Sequence, residues 1–169
     1  IMPASPPLRL VVMGPSGCGK STLARALAQA LDYQLVEGDE LHPPANVRKM
    51  QSGQPLDDAD RAPWLDAVAA ALARNDSTGV VATCSALKRR YRDQLRAAAG
   101  PLIFVLPLAA REVLAQRLAT RAGHFMPSSL LDSQLADFEP LAEVEEGLLI
   151  DGASGVASQV EYIRSRLER

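Results

Sequence analysis

Leu8-Arg9-Leu10-Val11-Val12-Met13 runs straight into Gly14-Pro15-Ser16-Gly17-Cys18-Gly19-Lys20-Ser21, and Leu23, Leu27 and Leu31 then step by four. The middle stretch satisfies G-x-x-x-x-G-K-[ST] at every fixed position. It lies between an apolar run of strand length and a segment of helical period, which is the setting this motif requires. The glycines let the backbone wrap around phosphate oxygens without side-chain obstruction. The N–H groups at the helix start then offer positive charge to an anion. On this reading Gly14, Pro15, Ser16, Gly17, Cys18, Gly19, Lys20, Ser21 and Thr22 bind a nucleotide. Lys20 bridges its β- and γ-phosphates and the Ser21 hydroxyl ligates Mg²⁺, so ATP and Mg²⁺ are the expected cofactors. Cys18 occupies a free position of the loop, where being small is enough.

Outward from this loop, apolar runs of strand length alternate with helical segments, and that predicts an α/β fold with a largely parallel sheet. Strands are expected at Leu8–Met13, Gln34–Glu37, Val80–Cys84, Leu102–Leu106 and Leu148–Asp151. The first, third and fourth are nearly continuous apolar runs, as in strands buried on both faces. Leu65, Val68, Ala69 and Leu72 form one helical face, and Val156, Val160, Ile163 and Leu167 another. Asp60 is the expected N-cap of the former helix, with Pro63 in its first turn. Two polar excursions interrupt the pattern. Residues 41–58, rich in Pro and Gly, are expected to hold a short helix in a substrate-binding insertion; residues 120–140 are expected to be a lid with few core contacts of its own.

The 169 residues suit a single domain over 8–169, with 1–7 a loose tail or a remnant of expression. Hydrophobic residues make up 47% and charged residues 22%, and the net charge of -2 gives no reason to expect a nucleic acid or an acidic membrane surface as partner. Two cysteines are too few for a disulfide framework. Pro3, Ser5, Pro6 and Pro7 interrupt the stretch where an export signal would have its apolar core, so a cytoplasmic location is expected.

A phosphate loop by itself leaves GTPases, ATPases and kinases open. No Asn-Lys-x-Asp stretch occurs, and Asp76-Ser77-Thr78-Gly79 precedes the third strand instead of following one, which argues against a guanine-specific site. The second strand ends in Glu37-Gly38-Asp39-Glu40-Leu41-His42. A carboxylate at the C-terminal end of a strand stands where α/β sites collect their ligands. Asp39 is there the candidate to take the proton of an attacking hydroxyl. Glu37 is either a partner of the metal through water or a solvated turn acid.

Gly14–Ser21 followed by Glu37-Gly38-Asp39 and Leu41-His42-Pro43 resembles the gluconate kinase (gluconokinase) family. So do Asn46, Lys49-Met50, Gly53, Pro55-Leu56, Asp58, Asp60-Arg61 and Pro63-Trp64-Leu65. The likeness continues through Cys84–Lys88, Tyr91-Arg92-Asp93, Arg117-Leu118, Arg121, Gly123–Met126, Leu130-Leu131 and Ser133-Gln134. The resemblance implies transfer of the ATP γ-phosphoryl group to the 6-hydroxyl of D-gluconate. It also implies a P-loop NTPase fold with five parallel strands between helices, as in shikimate and nucleoside-monophosphate kinases, and commonly a homodimer. By the same analogy Arg117 lies against adenine and Arg121 reaches the phosphates, so that Lys20, Asp39 and Arg121 form the catalytic set. Two positions depart from the family pattern: Glu37 stands where aspartate is usual, and Arg48 where an acid is frequent.

An anionic polyol needs cations for its carboxylate and hydrogen-bonding groups for its hydroxyls. The three lysines fall at Lys20, Lys49 and Lys88, and both histidines, His42 and His124, lie in matching blocks. Asp39, His42, Lys49, Lys88, His124 and Gln134 are therefore the expected substrate contacts. Trp64 is read as a packing anchor. The alternatives are another small-molecule kinase of the same fold or a nucleotide-binding regulator without turnover.

Overall fold

A computed structural model describes residues 7–74, 78–120 and 128–168. Five strands, β1 (Arg9–Val12), β2 (Gln34–Glu37), β3 (Val80–Thr83), β4 (Ile103–Leu108) and β5 (Gly147–Asp151), form one sheet in the order β2-β3-β1-β4-β5. Every neighbouring pair is parallel. The five expected strands all occur, each within two residues of its expected ends.

Helices α1 (Lys20–Leu31), α2 (Pro44–Gln51), α3 (Asp58–Ala73), α4 (Arg89–Ala99), α5 (Arg111–Thr120), α6 (Ser128–Asp137) and α7 (Val156–Leu167) connect them. Side-chain alternation along the strands sends Leu10, Val12, Val81 and Val105 into a core shared with Leu23 and Leu27 of α1 and Ile163 of α7. Val11, Ala82, Phe104 and Leu106 face the other way, toward Trp64, Leu65, Val68 and Leu72 of α3 and Leu95 of α4. Burial on both faces accounts for the continuous apolar runs in the sequence.

Two expectations need correction. The N-cap of α3 is Asp57, three residues before Asp60. The Asp57 carboxylate accepts from the Asp60 backbone N–H at 2.7 Å, and Asp60 Oδ2 accepts from the Asp57 N–H at 2.9 Å. This reciprocal pairing satisfies two helix-start donors at once, which a cap at Asp60 would not do. Pro63 consequently lies inside the helix and not in its first turn. The second correction concerns the stretch after α5, expected to have few core contacts. Leu131 of α6 is fully buried against Cys18, Leu114 and Leu118, and Phe138 packs on the α3–α4 core. Leu131 fills the space between the phosphate loop and α5, a contact across more than a hundred residues that no local pattern encodes.

The insertion holds the short helix foreseen for it, α2, after a 3-10 turn at Gly38–Leu41. Gly38 is required there: a Cβ would stand 1.9 Å from the Thr83 carbonyl oxygen. That close approach lets the Gly38 N–H donate to Thr83 Oγ1 at 3.0 Å and its carbonyl accept from Trp64 Nε1 at 2.8 Å. Trp64 is thus the buried anchor expected of it, and it pins the start of the insertion to α3. Behind the site, fully buried Arg92 donates to Glu145 and to the carbonyls of Ala86, Leu87, Glu139 and Pro140. It holds the loop after β3, including Ala86 at φ 44°, against the segment after α6.

Candidate functional site

In a parallel sheet all strands deliver their C-terminal ends to one edge, and the phosphate loop, Glu37 and the loop after Thr83 meet there. The loop closes over the α1 N-terminus with Gly14, Gly17 and Gly19 all at positive φ. At Gly17 an added Cβ would come within 2.8 Å of the Leu114 carbonyl, so only glycine lets α5 pack this closely. Lys20 Nζ donates to the carbonyls of Gly14 at 2.8 Å and Pro15 at 3.2 Å, folded back along the rim of its own loop. Ser21 Oγ donates to Glu37 Oε2 at 3.1 Å, and Thr83 Oγ1 donates to the same oxygen at 2.9 Å. Glu37 is therefore a carboxylate held by two hydroxyls next to the loop's serine, and not a freely solvated turn acid.

A cavity of about 580 Å³ opens beside the loop. Ser16, Lys20 and Ser85 line it from the strand ends, and Asp39 and His42 from the 3-10 turn and its exit. Val47, Met50, Gln51, Pro55 and Leu56 come from the insertion, Arg61 and Trp64 from α3, Leu87 from the loop before α4, and Leu130, Ser133 and Gln134 from α6. Apolar walls with a few convergent polar groups are the usual make-up of a small-molecule site.

Asp39 is exposed at the mouth. His42 stacks on Trp64 with ring centroids 4.2 Å apart and planes 15° apart. Burial pushes its pKa below the ordinary histidine value; Asp39 pulls it upward and Arg61 downward, with burial prevailing. Its ring is consequently neutral near pH 7. Arg61 is only 6% exposed. Its Nη1 donates to Tyr91 Oη at 2.8 Å and to Asp137 Oδ2 at 3.1 Å. Burial works against its charge, but the bonds to Tyr91 and Asp137 outweigh it and raise its pKa. A permanent cation thus faces the cavity. Gln134 Oε1 accepts the Ser16 N–H at 2.8 Å, so one turn of α6 touches both the phosphate loop through Gln134 and the buried arginine through Asp137.

Of the expected substrate contacts, Asp39, His42 and Gln134 line this cavity. Lys49 and Lys88 do not. Lys49 is paired with Asp60 at 2.5 Å, which raises its pKa, and Lys88 lies 3.4 Å from Asp58 and 3.9 Å from Asp137. Arg117 donates to the carbonyls of Gly17 at 3.3 Å and Gly152 at 2.7 Å, beside the loop and outside the cavity lining. Thr22 is exposed on the first turn of α1. Arg121 and His124 lie outside the described residues.

Arg61, Asn46 and Thr83 are among the residues that were given no role from the sequence. For Arg61 a signal existed. It precedes Leu65 by four and Val68 by seven on the apolar face of α3, and a cation on a buried face needs a reason. Among the described residues no group of three or more His, Cys, Asp or Glu could hold a metal, and no helix is long and apolar enough to cross a membrane.

Comparison with known proteins agrees with this architecture. A family model described as an AAA domain matches residues 10–141. The gluconokinase of Gluconobacter oxydans is 52% identical over 86% of this chain and 83% of its own. A gluconokinase crystal structure from Sinorhizobium meliloti superposes with a TM-score of 0.87 at 48% identity, covering 98% of this chain and 94% of that one. An unliganded sugar kinase from Janibacter sp. gives 0.90 at 39% identity over 96% and 95%. A phosphate loop at the head of a five-stranded parallel sheet, and relatives of this identity over most of their length, lead to one assignment: the chain belongs to the gluconokinase family of P-loop kinases.

Proposed function

We propose that this chain transfers the γ-phosphoryl group of ATP to the 6-hydroxyl of D-gluconate, giving 6-phospho-D-gluconate. The observation that carries the reading is Arg61, a buried cation lining a cavity that also contains Lys20 and Asp39. Such a site suits a substrate with a carboxylate and a reacting hydroxyl. Arg61 receives the carboxylate, while His42, Ser85, Ser133 and Gln134 offer hydrogen bonds to the hydroxyls. Asp39 takes the proton of the 6-hydroxyl as its oxygen attacks, and the P–O bond to ADP breaks. Lys20 leaves the carbonyls of Gly14 and Pro15 for the phosphates, and Arg117 flanks the nucleotide. Arg121 and His124 complete the phosphate and sugar contacts from the segment before α6. Magnesium suits the oxygen donors at hand: the Ser21 hydroxyl and Glu37 would hold it, and when bound it supplies positive charge to the β- and γ-phosphates. Residues 41–58 act as the substrate-binding insertion and 120–140 as the lid of one domain spanning 8–169. Met50, Leu56, Trp64 and Leu130 keep water from the transferring group. A homodimer is the assembly that the family resemblance implies, and sedimentation at working concentration tests it; a cytoplasmic location remains the expectation from the sequence.

The test is ADP release with ATP and a panel of acceptors: gluconate, shikimate, nucleoside monophosphates and no acceptor. The expected result is turnover with gluconate far above all others. Equal rates with shikimate or a nucleoside monophosphate, or no acceptor-stimulated turnover, would overturn the proposal.

A further inference from the structure

Asn46 is buried, 4% exposed, at the back of the insertion, and its side-chain nitrogen meets two groups. Nδ2 stands 2.8 Å from the Asp60 carbonyl oxygen and 3.3 Å from His42 Nδ1. A carbonyl oxygen can only accept, so the atom facing it is the amide NH₂, and the orientation of the side chain follows from that contact. The second hydrogen of the same nitrogen then points at His42 Nδ1, which must present a lone pair. A neutral imidazole with a bare Nδ1 carries its proton on Nε2.

The ring has little freedom to escape this arrangement. It stacks on Trp64, and Trp64 is tied by Nε1 to the Gly38 carbonyl. The charged groups facing His42 are Asp39 from its own turn and Arg61 from α3. Nε2 is the ring nitrogen left for the cavity that His42 lines.

We propose that Asn46 is a positioning residue that fixes the proton of His42 on Nε2, making the imidazole a hydrogen-bond donor to a lone pair of the sugar acid. The proposal rests on reading the cavity as the sugar-acid site. The same ring with its proton on Nδ1 would present a lone pair there instead, and a carboxylate or a hydroxyl already donating elsewhere would be repelled.

The experiment begins with ring-nitrogen chemical shifts of the ligand-free protein labelled with ¹⁵N-histidine. Only two histidines contribute, and His42→Gln assigns them. The expected spectrum gives His42 a bare Nδ1 and a protonated Nε2; the opposite tautomer overturns the proposal, whether or not any variant folds. In Asn46→Asp, assayed at a pH where the same spectrum shows a single ring proton, the new carboxylate cannot donate, so that proton moves to Nδ1 and Nε2 loses its donor. The KM for gluconate should then rise by about tenfold with kcat within about twofold. In a His42→Gln background the glutamine amide carries its own donor, and adding Asn46→Asp should change KM by less than about twofold. An equal rise in both backgrounds means that Asn46 only supports the fold of the insertion, and overturns the proposal. A wild-type enzyme that does not phosphorylate gluconate would defeat the functional reading alone, since the tautomer is measured without ligand.

Discussion

Replacing Arg61 by methionine removes the buried cation while keeping most of its volume, and the structure sets the expected size of the effect. Arg61 Nη1 already serves Tyr91 and Asp137, so the substrate gains the remaining face of a guanidinium held in place by protein contacts. A charge-assisted bond of this kind contributes about 1.5–3 kcal/mol. At about 1.4 kcal/mol per decade the KM for gluconate should rise by roughly 10- to 150-fold. Because the bond is made equally before and during phosphoryl transfer, kcat should stay within about threefold. Asp137 and Tyr91 each lose a partner, but Asp137 is part-exposed with Lys88 3.9 Å from its other oxygen, and Tyr91 keeps Asp58. The variant should therefore still fold, with a stability loss of about 3 kcal/mol, the low end for a broken buried pair. Steady-state kinetics with gluconate and with an uncharged hexitol separate the contributions. Wild type should discriminate strongly against the hexitol, and Arg61→Met should lose most of that discrimination. A fall in kcat of about thirtyfold with unchanged KM would assign Arg61 to the phosphoryl group. No change in either constant would place carboxylate recognition elsewhere.

Lys20→Ala should lower kcat by about 10²- to 10³-fold with unchanged circular dichroism, since among the described residues its amine donates to the carbonyls of Gly14 and Pro15 alone; near-normal turnover would sink the phosphate-loop role. Asp39→Asn keeps the shape but removes the proton acceptor, so kcat should fall by about 10²-fold, whereas a rise in KM alone would make Asp39 a binding residue. Burial pushes the Glu145 carboxyl up, yet hydrogen bonds from Arg92 and Arg96 overcome it and bring its pKa down to about 2. A folded pKa below the unfolded value of about 4.3 gives stability that is complete above about pH 4.3 and lost as pH falls toward 2, on the order of 3 kcal/mol. Glu145→Gln should therefore unfold at lower denaturant at pH 7, with the gap to wild type narrowing as pH drops below about 4.3; a gap independent of pH would contradict this.

Much of this was legible in the sequence because the decisive chemistry is contiguous. The phosphate loop carries its own strand and helix, and the strands are buried on both faces, so their apolar runs announce them. Asp39 and His42 follow β2 directly and lie where a strand end must lie. What the sequence hid is what long-range packing creates. Lys49 and Lys88 drew attention by their rarity, yet each spends its charge on a nearby aspartate, Asp60 or Asp58, outside the cavity lining. Beside the loop's own Lys20, the cation that lines the cavity is Arg61, and its setting exists only where α3 meets Tyr91 of α4 and Asp137 at the end of α6. The cap at Asp57 was missed because two acids three apart can each serve as a cap, and only the reciprocal hydrogen bonds decide between them. Leu131 looked like part of a loosely held lid because its partners, Cys18 and Leu114, are distant in sequence.

The most direct test of the central claim is the ³¹P spectrum of the product formed from ATP and gluconate. Transfer to the 6-hydroxyl puts phosphorus next to a CH₂ group, so the account predicts a new phosphomonoester resonance split into a triplet by the two C6 protons, growing in step with ADP. A doublet would mean that a secondary hydroxyl is the acceptor, and inorganic phosphate alone would mean that the enzyme hydrolyses ATP instead of transferring its phosphoryl group.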